Sequence, residues 1–109
     1  MPDTKFVELI LSCKDRAEAE KIVAALLTQR LIACAKFIPI DTRYGWHGKI
    51  EYGNEVLLMM ESVAANFDKI EAEVAKLHSY DTPVLTQVPI GRVSAKAQEW
   101  LNEVIKSKG

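Results

Sequence analysis

The chain has 109 residues, 49 % hydrophobic and 27 % charged, with a formal net charge of -1. This is ordinary globular composition, so one domain spanning residues 1–109 is expected, and dispersed Lys and Arg exclude an electrostatic case for nucleic acid or an anionic membrane. Two cysteines make no disulfide framework, the start Met1-Pro2-Asp3-Thr4-Lys5 opens no secretory h-region, and no apolar run approaches the roughly 20 residues of a membrane span, which together predict a reduced, cytoplasmic setting.

Phe6-Val7-Glu8-Leu9-Ile10-Leu11 is a nearly continuous apolar run and predicts a strand with both faces mostly buried. Asp15 is placed to cap the next element, and Glu18 falls three residues later, as in a capping box. Ala19, Ile22, Val23, Leu26 and Leu27 then form one apolar face, predicting a helix from about Asp15 to Arg30. Between Leu31 and Ser62, two β-type runs flank a Gly-containing aromatic turn. They are much longer than an ordinary strand of about five or six residues, so the hairpin overhangs a small domain and its edges need a partner. The tightest turn is placed at His47-Gly48, with Gly53-Asn54 as a competing turn or bulge. Pro39 marks an edge, a bulge or a bend.

Phe67, Ile70, Val74 and Leu77 predict a second helix from about Ala64 to Leu77. Tyr80-Asp81-Thr82-Pro83 reads as a turn, and Val84 to Ile90 as a strand whose Pro89 suggests an edge. Ser94 is placed to cap a last helix with Ala97, Leu101, Val104 and Ile105 on one face, and with Lys106 and Lys108 near its C-terminus. The order β-α-β-β-α-β plus a terminal helix is the ferredoxin-like α+β arrangement, an antiparallel sheet with helices on one face. Many functions share that fold, so it selects none.

Three segments together resemble the CutA family of divalent-cation tolerance proteins. They are Leu31-Ile32-Ala33-Cys34 before Ile38-Pro39, then Tyr44-Gly45-Trp46-His47-Gly48-Lys49-Ile50-Glu51, then Glu55-Val56-Leu57-Leu58. His78-Ser79-Tyr80-Asp81-Thr82-Pro83 and Trp100-Leu101 are similar to the family as well. The resemblance implies a homotrimer built like the PII signalling trimers, with hairpins pairing across subunits and a link to copper and other divalent cations. It also implies four departures from metal-binding members. Leu11 stands in place of a strand Cys, Leu77 in place of the first of two adjacent histidines, Ser79 in place of a Pro, and Val84 in place of an acidic residue.

His78 is the leading metal candidate, with Asp81 as a carboxylate that could ligate or orient it; the plainer reading is a helix cap or a residue at a subunit boundary. Cys13 lies two residues beyond Leu11, on the same strand face, and could supply a thiolate. Lys14 and a helix N-terminus are expected to lower its pKa. Cys34 is assigned to the core. Met59-Met60 point to opposite faces and are assigned to packing rather than to copper. Tyr44, Trp46, Met59 and Trp100 are placed in the trimer interface, and His47 is read as incidental. Gly91-Arg92 suits a turn better than an anion site. The sequence carries no phosphate loop, G-x-S-x-G, H-E-x-x-H or paired CxxC, so a non-enzymatic protein is expected. The expected function is binding of copper or another divalent cation, with a PII-like trimer binding a small metabolite or anion as the alternative.

Overall fold

The computed structural model describes residues 5–106; Met1 to Thr4 and Lys108 lie outside the described residues. Strand β1 (Phe6–Cys13) lies inside a four-stranded sheet of order β2-β3-β1-β4, antiparallel at every neighbour. Val7, Leu9, Leu11 and Cys13 are fully buried, whereas Glu8, Ile10 and Ser12 are only half-buried. The apolar run therefore reflects one closed face and one partly open face, not the two buried faces expected.

Helices α1 (Arg16–Thr28) and α2 (Phe67–Leu77) cover the closed face. Ile22, Leu26, Ile70 and Val74 pack there on Leu9, Leu11, Leu58 and Met60. Asp15 caps α1, its carboxylate accepting from the Glu18 N–H at 2.9 Å. At the other end, Arg30 adopts φ 59. The Leu31 N–H reaches the Leu26 carbonyl and the Arg30 N–H reaches that of Leu27, as in a Schellman stop. A short 3-10 turn (Ala64–Asn66) leads into α2.

Strands β2 (Cys34–Trp46) and β3 (Lys49–Val63) pair without a break from Cys34↔Glu61 to Trp46↔Lys49. Their turn is His47-Gly48, at φ 51 and 78, the left-handed pair that matches strand twist in a two-residue hairpin. Gly53-Asn54 is not a turn: these residues lie within β3 opposite Thr42 and Asp41. A Cβ on Gly53 would come within 2.8 Å of Thr42 Oγ1, so glycine permits that close approach. Pro39 sits on edge strand β2 with no register break. β1 runs out opposite Val56, so from Glu55 outward β3 pairs only with β2. The result is a two-stranded arm, with Ile50 and Tyr52 69 % and 71 % exposed.

Strand β4 (Leu85–Pro89) is the other edge. Helix α3 (Ala95–Val104) begins without a side-chain cap; Ser94 contributes only its carbonyl, to the Gln98 N–H, which corrects the expected cap. Its Leu101, with Ile105, packs on Phe6, Ala33 and Val63 in a second cluster at one end of the open face. Cys34 is half-buried against that cluster rather than in the main core. The rest of the open face carries Ile10, Leu57 and Met59, half-buried, beside exposed Ile38 and Val88.

Candidate functional site

Three elements meet where β1 ends. Strand β1 supplies Cys13, the first turn of α1 supplies Glu18, and the C-cap of α2 supplies His78. Among the described residues, one ligand atom from each of these side chains lies within 4.8 Å of the others. The His78 side chain is fully buried and that of Glu18 nearly so. His78 Nδ1 accepts from the Tyr80 N–H at 3.1 Å, so Nε2 carries the proton and donates to the Ser12 carbonyl at 2.8 Å. Glu18 Oε1 accepts from the Lys14 N–H at 2.8 Å, and Oε2 from the Ser79 N–H at 2.7 Å. The reciprocal bond of the expected capping box is thus shifted by one residue, and the same carboxylate ties α1 to the turn after α2.

Burial opposes charge on Glu18, but these N–H bonds outweigh it and hold the carboxyl below its ordinary value. Cys13 moves the other way. Burial first, then the charges of Glu18, Asp15 and Glu55, push its thiol up to about 12, which overturns the expected lowering by Lys14 and the helix end.

Asp81 is exposed and lies outside this cluster; the carboxylate beside His78 is Glu18. Sequence reasoning passed over Glu18 because a good capping position explained it completely. Leu11 is fully buried in the core, Leu77 packs partly buried against it, and Val84 is 63 % exposed, so none of these three side chains brings a metal ligand to the cluster. Tyr44, Trp46 and Trp100 are 45 %, 42 % and 43 % exposed, and Met59 is half-buried on the open sheet face.

A thiol, a carboxylate and an imidazole at this spacing form a donor set suited to a borderline divalent ion, or to Cu(I) through the thiolate. Both imidazole nitrogens are already engaged, however, and the thiol holds its proton. Loading would require His78 to give up a hydrogen bond and would release protons, so affinity would rise with pH.

The family model described as CutA1 divalent ion tolerance protein matches residues 7–104. A "Divalent-cation tolerance protein CutA" from Archaeoglobus fulgidus is 34 % identical over 89 residues, covering 82 % of this chain and 87 % of its own. The one from Pyrococcus horikoshii is 34 % identical over 92 residues, covering 84 % and 90 %. A solved structure described as the periplasmic divalent cation tolerance protein CutA from A. fulgidus superposes with a TM-score of 0.90 at 30 % identity, over 93 % of this chain and 99 % of that one. CutA1 from P. horikoshii gives 0.88 at 30 %, over 93 % and 99 %. No helix of the described residues is long and apolar enough to cross a membrane.

Proposed function

Because this chain belongs to the CutA1 divalent ion tolerance family, we propose that it serves divalent-cation tolerance by binding the ion directly, as a non-enzymatic homotrimer in the cytoplasm. The observation that carries the binding is the convergence of Cys13, Glu18 and His78. Copper fits this donor set through the thiol and the imidazole. Asp81 has no place in the first coordination sphere, since its side chain lies outside the cluster. Two free thiols suit a reducing compartment.

Titration of the reduced protein with Cu(I), Cu(II) and Zn(II) under chelator competition, read by native mass spectrometry, tests this. The expected result is a fixed number of ions per chain. Affinity should rise with pH and fall by about tenfold or more in His78→Ala. No ion held above chelator background, or an unchanged affinity in His78→Ala, would remove the site.

A further inference from the structure

On the open face of the sheet, one row of side chains crosses all four strands: Cys34, Glu61, Glu8 and Val88. Two carboxyls stand side by side in that row, and one cation serves both, Lys36 of β2 donating to Glu61 Oε2 at 2.9 Å. Glu8 Oε2 is buried and has no hydrogen-bond partner among the described residues. The next row on one side is Phe6 and Val63, closed by Leu101 and Ile105. On the other side stand Ile10 and Met59, half-buried. Strand β4 brings no ionisable residue to the face. The carboxyl pair is therefore set in an apolar surround.

Leu57, Ile38 and Val88 continue that surround toward solvent, beside an edge strand of 13 residues. In the homotrimer, further copies of the same chain close such a face, and closure withdraws water from both carboxyls. Two like charges served by one lysine are costly once dehydrated. A proton on Glu8 removes one charge and supplies the hydrogen bond that Oε2 lacks. In the separate chain, burial first, then the hydrogen bond and charge of Glu61, with Lys36 opposing, already push the Glu8 carboxyl up to about 7. Burial raises the Cys34 thiol, and the bond to Glu61 raises Lys36, so one stays neutral and the other charged near that pH.

We propose that closing this face against another copy of the chain takes up one proton per subunit, held between Glu8 and Glu61, so that alkaline pH loosens the assembly. This rests on the homotrimer reading but not on the metal site, since no residue of the Cys13–Glu18–His78 set takes part. Below about 7 the carboxyl is protonated whether or not the copies meet, and association is indifferent to pH. Above about 7 the separate chain has lost the proton while the assembly keeps it, so association weakens as pH rises.

Analytical ultracentrifugation of the full chain in graded urea, at two chain concentrations and from about pH 5 to about pH 9, tests this linkage. The association constant should be flat below about 7 and fall above it, by up to about tenfold per subunit for each pH unit. Glu8→Gln, whose amide donates as the protonated acid does, should be flat throughout. Lys36→Met, at an exposed position, removes the cation that holds Glu61 charged and should move the onset to higher pH. Infrared spectra of the assembled protein just above neutral pH should show a carboxylic-acid C=O stretch that Glu8→Gln lacks. The same slope in wild type and Glu8→Gln, or no carboxylic-acid band in the assembled protein, would overturn the linkage; a cation from the neighbouring copy beside Glu8 would produce the second result. A single-chain mass at every pH would instead remove the homotrimer itself, and the linkage with it.

Discussion

Glu8 lies directly across the ladder from Glu61, and Lys36 donates to Glu61 Oε2 at 2.9 Å. Glu8 Oε2 is buried with no hydrogen-bond partner among the described residues, which a proton shared with Glu61 would satisfy. Burial first, then the hydrogen bond and charge of Glu61, push the Glu8 carboxyl up to about 7. Burial works against charge on Glu61 too, but its hydrogen bonds, that from Lys36 foremost, hold it low. Lys36 and Cys34 both move upward, away from neutral pH. A folded-state value raised above 4.5 gives stability that is complete below 4.5 and is lost as pH rises through about 7. One proton sets a ceiling of about 1.4 kcal/mol per pH unit, and partial solvent exposure lowers it. Urea unfolding across that window should show this decline, and Glu8→Gln should flatten it; an unchanged slope would remove the shared proton. At this scale the sequence was legible in residue type but not in environment. His78 could be picked out by its chemistry. The direction of the Cys13 shift depends on burial beside carboxylates from two other elements, Asp15 and Glu18 at the start of α1 and Glu55 on β3.

Arg30 shows what an element boundary can hide. Its φ of 59 is a position where glycine is usual, yet the side chain earns its place by donating to the Glu103 and Val104 carbonyls at 2.8 and 3.0 Å. Its own carbonyl accepts from the Lys106 N–H at 2.7 Å. One residue thus ends α1 and fastens the end of α3. Arg30→Ala should cost about 1–2 kcal/mol in urea unfolding, with amide exchange rising most in α3. Arg30→Gly should cost less, because glycine accepts that φ freely. Equal protection of α3 in wild type and Arg30→Ala would disprove the fastening role. Helix α1 and the His47-Gly48 turn were legible because their signals are local: a cap, a periodic face, a glycine that accepts positive φ. The link from Arg30 to α3 was not, since its partners lie more than seventy positions along the chain.

For the whole molecule, periodicity and element order sufficed for the ferredoxin-like fold, but sequence does not encode in any local pattern which surfaces a second copy covers. The structure leaves an arm carrying exposed Ile50 and Tyr52, an edge strand of 13 residues, and an apolar open face. Such edges favour pairing with another chain. Light scattering and native mass spectrometry should give a mass of three chains, and Ile50→Asp combined with Tyr52→Asp should shift it toward one chain while circular dichroism stays native. A single-chain mass for the unmodified protein at micromolar concentration would refute the assembly.

The position of β1 also has a consequence in time. It is made first, yet its partners, Val56 to Val63 and Leu85 to Pro89, are made in the second half of the chain. During synthesis a strand rich in apolar residues must wait for both neighbours, with the amphipathic α1 the nearest cover. The carboxylate of Glu8, a burden to the finished sheet above neutral pH, interrupts that run and opposes self-association of the nascent segment.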